Sequence, residues 1–456
     1  MDSQTYLSSL LRLTQVTRLL TTAMKEKGQI KKIRIPYFRE KLSSFEYKEG
    51  NVSWQSQTEV INKEVWVWED IFRTVAPEIE ATEDFSQSVQ QISSFFKTSE
   101  AQAKFWVSRF INAIAKEVLE NASEDKIMEL TFSFMRDLEG SSKLWTPHIW
   151  LKGIWMVDDA LHISNDIRFR KPVPSDLERE WDLRVFPYFH EGWPRTHPSA
   201  ILDVSFRAIN QPEVHKKLER LILTLRLFRV GSVDNVRTFW RSESILDFGA
   251  TGYKSIINES YKYPLSKLDV PKLKEFVEKI SPLVPENLVD PSLKEVDYSV
   301  IAIQRYNDAI LKPEIIESRL SFAVMALEAL YLKETEREEL EHRLSQRVAR
   351  LLSFFGCEPL EVYNTLKHSY DIRSSFVHGS PIPQEKLKET AKMDQKVLEY
   401  VRLSIVLFLL LKQLSEKDKF LSLIDHSLLS KNAFDKLEKM LKEYCAICQP
   451  YSSPIQ

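Results

Sequence analysis

PLEVYNTLKHSYDIRSSFVHGSP, residues 359–381, is the stretch from which the fold of this chain is read. Leu360, Tyr363, Leu366, Tyr370 and Val377 recur mostly three or four apart. That spacing predicts an amphipathic helix buried along those side chains and stopped by Gly379 and Pro381. The last turns carry Arg373 and His378. Five residues apart on a helix, they differ by about 140° in rotation and about 7.5 Å in rise. A permanent cation and a titratable base can then face one small anionic group.

Downstream of residue 264 the same period continues, with helices expected at 271–280, 293–311, 314–333, 339–355, 360–378, 386–414 and 417–444. Several of the linkers are short and carry Pro or Gly, so sequential helices become antiparallel neighbours in a bundle. Ten glycines among 456 residues, against the usual ~7%, also favour helix. Between 148 and 257 the grammar changes to short apolar runs broken by Pro, Asp, Asn and Gly, the pattern of strands and turns. Within it Val214, Leu218, Leu221, Ile222, Leu225 and Phe228 keep helical spacing, closed by Gly231. Upstream, residues 1–145 read as mostly helical; 34–68 is less regular, and Val65-Trp66-Val67-Trp68 allows a short strand. The expected fold class is therefore α+β, mainly α. Residues 1–145 form a helical region serving as sensor or scaffold, 146–260 a small mixed domain, and 261–456 a helical bundle with a helical extension.

A net charge of -2 supplies no global basic field, so any nucleic-acid contact has to come from a local patch. Cys357, Cys445 and Cys448 suggest a reducing cytoplasm rather than a disulfide framework. Cys445 and Cys448 form a CxxC pair with no second pair at zinc-site spacing, so no metal or cofactor is expected. The longest apolar run, 403–411, is too short to span a bilayer.

Arg-x4-His is not a rare spacing, since Arg337 to His342 repeats it and Arg184 to His190 gives the five-residue variant. Context favours Arg373 and His378: a helix end, small Ser374 and Ser375 between them, and Gly379 beyond. The other pair lies in a run dense in Glu, the pattern of a solvated helix start. Glu328 is the only charged residue between 320 and 332. A buried carboxylate is costly without a partner, so Arg347 or Arg373 is expected to meet it. Arg343, Arg347 and Arg350 fall at i, i+4 and i+7, beside a stripe of Leu344, Val348, Leu351, Leu352 and Phe355. They make either a row that meets successive phosphates or a solvated face balanced by Glu336, Glu338, Glu339 and Glu341. The loop 249–255 lacks the glycine spacing of a phosphate loop, and Asp247-Phe248-Gly249 lacks the companion motifs of a kinase.

Three motifs in order resemble the Apea-like branch of the HEPN superfamily: Arg319 to Leu330 with Glu328, Leu344 to Leu352 with Arg347 and Arg350, and Tyr370-Asp371-Ile-Arg373-Ser374-Ser375-Phe376-Val377-His378-Gly379. The resemblance covers about 264–414. It implies a small, commonly dimeric helical bundle and, in many members, a metal-independent ribonuclease of defence, toxin or RNA-processing systems. Arg373 and His378 take the catalytic positions, with Glu328, Tyr370, Asp371 and Ser374 in support and Arg343, Arg347 and Arg350 offered to RNA. The residue after the Arg is often Asn, Asp or His, whereas here it is Ser374, whose hydroxyl bonds a phosphate but is no base near neutral pH. The Tyr found two residues after the His in some toxins is replaced by Ser380. The implied function is a cytoplasmic, homodimeric endoribonuclease of anti-phage defence or toxin type, using the ribose 2'-OH as nucleophile and answering a phage-derived or other trigger. The alternative is a non-catalytic RNA- or protein-binding module of the same fold.

Overall fold

Helix signals in the C-terminal half fall close to where the chain turns. The computed structural model describes residues 3–67, 70–182, 197–243, 251–253, 261–289, 296–312 and 315–448. Its helices here are Val270–Ile280, Tyr298–Leu311, Ile316–Tyr331, Leu340–Ser353, Pro359–Val377 (the motif helix) and Gln384–Leu411. The long helix expected at 417–444 is two, Lys417–Ser427 and Lys431–Tyr444. Ser430 makes the break: its hydroxyl accepts from the Ala433 N–H at 3.4 Å, capping a new helix instead of continuing the old one.

The middle region supplies strands β3 (Lys143–Trp145), β4 (His148–Lys152), β5 (Ile154–Met156), β6 (Ala160–Ser164), β7 (Ile167–Arg170), β8 (Arg179–Asp182), β9 (Ala200–Val204), β10 (Phe206–Ala208), β11 (Asp234–Phe239), β12 (Thr251–Tyr253) and β13 (Tyr263–Leu265), while β1 (Lys32–Lys48) and β2 (Asn51–Trp66) lie upstream. Six of them make an antiparallel sheet in the order β12-β11-β4-β9-β7-β6. The helix Gln211–Phe228 buries Val214, Leu218, Leu221, Ile222, Leu225 and Phe228, and Asn210 caps its start by accepting from Glu213 N–H at 3.0 Å.

The N-terminal region holds the helices Ser3–Glu26, Glu83–Phe95, Glu100–Leu119 and Glu124–Leu138, and it also holds a long hairpin where only a short strand was expected. β1 (Lys32–Lys48) and β2 (Asn51–Trp66) pair almost end to end. Glu49 and Gly50, both at positive φ (48° and 77°), form the two-residue turn. The ribbon is mostly exposed on both faces, so it lacks the polar–apolar alternation by which a half-buried strand is recognised. At its tip the Tyr47 hydroxyl donates to the Ser199 carbonyl and accepts from the Met156 N–H, both at 2.7 Å. Val52 packs with Trp150, Leu177, Ile201 and Val236 of the sheet region, and β8 pairs with β1. The segment carrying Leu177 is tied to the sheet through Asp176, which receives two bonds of 2.7 Å from Arg170. His148 sits between Asp203 (2.8 Å) and Asp176 (3.4 Å).

Two large apolar cores result. Tyr6, Leu10, Val107, Phe110, Ile114 and Phe134 belong to the N-terminal one. The other runs without interruption from Trp145 of β3 to Cys448, so sheet and bundle share a single core across the expected boundary at 260. The chain is α+β and mainly α, with a helical C-terminal part and a mixed part before it. Among the described residues no helix is long and apolar enough to cross a membrane.

Candidate functional site

The motif helix is rotated from its expected pose. It buries Val362, Thr365, Leu366, Ser369 and Ile372, while Leu360 and Val377 are 64% and 50% exposed and Tyr363 and Tyr370 half-buried. Leu360, Tyr363, Tyr370 and Val377 thus centre about 120° around the helix from the face that packs, to which Leu366 does belong. Small residues at 365 and 369 let the helix approach its neighbours closely; size-weighted periodicity favoured the wrong face.

Its C-terminus is closed by a Schellman motif. Gly379 stands at φ +67°; its N–H reaches the Phe376 carbonyl at 3.2 Å, and the Ser380 N–H reaches that of Ser375 at 2.8 Å. His378 is the capping residue, exposed, and its side chain has no partner among the described residues. The glycine turns the chain away directly after the histidine.

Arg373 donates from Nη2 to Glu328 Oε2 at 3.3 Å. Burial raises the Glu328 carboxyl above its ordinary range; the Arg373 charge and a hydrogen bond from Tyr370 oppose that shift. Of the two arginines expected to meet Glu328, Arg373 is the one that does. The Arg373 guanidinium also lies 5.7 Å from the Tyr370 ring, and its buried Nε has no partner among the described residues. Asp371 faces the other way, 3.2 Å from the Lys386 ammonium, and Ser374 is half-buried one residue beyond the arginine.

The arginine row is not a surface row. Arg347 is 1% exposed; its donors go to Asp425 (2.7 and 2.8 Å), Glu336 (2.6 and 2.8 Å) and the Tyr331 carbonyl (2.6 Å). Bonding to Arg347 holds the Glu336 carboxyl down at about 2. Arg350 donates to the Ser427 carbonyl at 3.0 Å and lies over the Phe434 ring, while Arg343 stands 3.6–3.7 Å from Glu336 and Glu339. The expected phosphate-binding row at 343, 347 and 350 is therefore corrected: its central member is structural. The signal in the sequence was the Glu cluster at 334–341, read as solvation rather than as a source of buried partners.

Of the other spacing matches, Arg337 has its Nη1 3.3 Å from the Glu336 carbonyl and His342 contacts the Tyr363 hydroxyl at 3.0 Å. Arg184 to His190 and Asp247-Phe248-Gly249 lie outside the described residues, as does most of 249–255. Among the described residues no group of three or more His, Cys, Asp or Glu is arranged to hold a metal ion. No family model matches this chain, and neither a curated protein nor a solved structure does.

Proposed function

We propose that the chain is an endoribonuclease of the HEPN type that cleaves without a metal ion, with Arg373 and His378 at the reacting phosphate. One observation carries this reading: at one helix end Arg373 is tethered by a single nitrogen to Glu328, and His378 stands exposed beyond it. In the reaction the ribose 2'-oxygen attacks the adjacent phosphorus, the bond from phosphorus to the 5'-oxygen breaks, and a 2',3'-cyclic phosphate and a 5'-OH result. A neutral imidazole takes the 2'-OH proton and a protonated one gives a proton to the departing 5'-oxygen. His378 of one chain performs one of these transfers, and a second copy in a homodimer supplies the other. Arg373 stabilises the charge growing on the phosphoryl oxygens, held by the Glu328 tether, itself bonded by Tyr370. The Ser374 hydroxyl offers a further donor.

The proposed setting, a cytoplasmic effector of anti-phage defence or a toxin released by a trigger, rests on the motif resemblance alone. Ser374, a donor but not a base, favours as second reading a bundle that binds RNA without cutting it. Arg373→Ala and His378→Ala, each assayed with wild type on labelled RNA, decide between them. Loss of cleavage in both, with activity of the wild type retained in EDTA, supports the nuclease; wild-type rates in both variants sink it.

A further inference from the structure

β2 is the outer strand of its ribbon: β1 lies on one side and, among the described residues, nothing pairs with the other. Gln55 fixes which residues face outward. Its N–H donates to the Ser44 hydroxyl at 3.1 Å and its carbonyl accepts from the Ser43 hydroxyl at 3.2 Å, both on β1, so odd-numbered residues turn their backbone groups inward. The N–H and C=O groups of Ser56, Thr58, Val60, Asn62 and Glu64 therefore point to the open edge. Residues 55–60 and 62–64 are exposed. A bulge and a proline, two devices that blunt a strand edge, fall on β1 instead, between Leu42 and Ser44 and at Pro36. What β2 carries along its edge is charge: Glu59, Lys63 and Glu64.

We infer that the edge of β2 pairs antiparallel with the same edge of a second copy of this chain, about a two-fold axis through Ile61. A symmetric pairing has to set outward-facing residues opposite one another, so its axis passes through a residue and not between two. An axis at Glu59, Lys63 or Glu64 puts that charge against itself, and one at Val60 or Asn62 leaves all three charges opposite neutral residues. The axis at Ile61 alone sets Glu59 of each protomer opposite Lys63 of its partner, at positions without ladder bonds, where side chains come closest. Within one chain Arg39 stands 3.7 Å from Glu59 and Glu180 stands 2.5 Å from Lys63. The joint therefore continues a row of alternating charge from Glu180 of one protomer to Arg39 of its partner. Ile61 meets its own copy directly, and Val60, 57% exposed, meets its copy diagonally on the other face. This interface lies in the N-terminal region, outside the motif-bearing bundle, and does not rest on the nuclease reading.

Sedimentation velocity of the full-length chain over a range of micromolar concentrations tests the pairing, and wild type is expected to associate. Glu59→Lys and Lys63→Glu each create two like-charge pairs across the joint and should weaken that association about tenfold or more. An equimolar mixture of the two variants has opposite charges at both pairs and should recover it. Both side chains are about half exposed, 52% and 48%, so neither change threatens the fold. Ile61→Cys marks the axis: under mild oxidation it should join two chains through a disulfide, whereas Gln57→Cys, which the same register sets opposite Val65, should not. A wild type that stays monomeric overturns the inference, whether its edge is left to water or taken by a strand of another protein. So does association that neither charge variant weakens, or a mixture that behaves no better than its components.

Discussion

Replacing Arg347 with Met separates a structural arginine from a phosphate-binding one. The side chain is 1% exposed and gives four bonds of 2.6–2.8 Å to Glu336 and Asp425 and one to the Tyr331 carbonyl. Met fills a similar volume but leaves two carboxylates facing each other and a buried carbonyl without its donor. Breaking a buried pair by removing one partner costs about 3–5 kcal/mol. At an unfolding entropy of about 2.1 cal/mol/K per residue, the unit of roughly 300 residues that shares this core loses about 1.6 °C per kcal/mol, a fall of about 5–8 °C in Tm. Differential scanning calorimetry measures it, with Arg343→Gln, on a 43% exposed side chain, expected to stay near wild type. The acid limb carries a second signature. Glu336 is held down at about 2, so its contribution is complete above the ordinary Glu value and lost as pH falls through that interval. Arg347→Met should remove that part of the acid sensitivity. An unchanged Tm together with lost RNA affinity would refute the structural role and restore the arginine row.

Gly379→Ala meets no atom within 4 Å of its new Cβ, so its cost is the left-handed backbone alone, about 1–2 kcal/mol; a lower Tm and reduced cleavage are expected, with Gly379→Asn losing less of both. At Gly50, also at positive φ, a Cβ would lie 2.5 Å from that of Trp155; Gly50→Val should lift the hairpin tip, raising proteolytic nicking within β1 and β2 while the helical cores stay intact. Burial alone would lower the His148 pKa, but hydrogen bonds to Asp176 and Asp203 outweigh it and raise the value. Its stabilisation is therefore full below the ordinary His range and lost as pH rises through the raised value. Urea midpoints measured from mildly acid to mildly alkaline pH should show that loss in wild type and not in His148→Gln.

The helices of the bundle are legible because they carry buried faces long enough for the 3.6 period to emerge, and some end at a clear signal, such as Asp297 capping Tyr298–Leu311 or Gly379 after the motif helix. The helix Gln211–Phe228 was found for the same reason. The hairpin was not, because most of its side chains meet water on both faces and no period marks such a strand; its Glu49-Gly50 turn also departs from the usual Asn-Gly. Glu328 was identified as needing a partner by its isolation in an apolar run, and the structure chose Arg373 of the two arginines offered. The buried state of Arg347 was hidden because sequence spacing places a residue on a face but does not say which neighbour covers it. The packing face of the motif helix is masked in the sequence because Thr365 and Ser369, polar by type, pack inside as small residues: the Ser369 hydroxyl donates to the Thr365 carbonyl at 2.8 Å.

The uninterrupted core from Trp145 to Cys448 also constrains how such a chain can be recombined. A crossover near residues 139–142 leaves both large apolar clusters whole, so the helical N-terminal unit with its private core can be exchanged for another once the hairpin seat, the buried Asp137–Lys143 pair and the Ser133–Glu243 bond are matched. A crossover near 260 divides one cluster between two parents and demands that both halves change together. Variation among descendants of this architecture should therefore concentrate in the N-terminal unit, with sheet and bundle inherited as one piece.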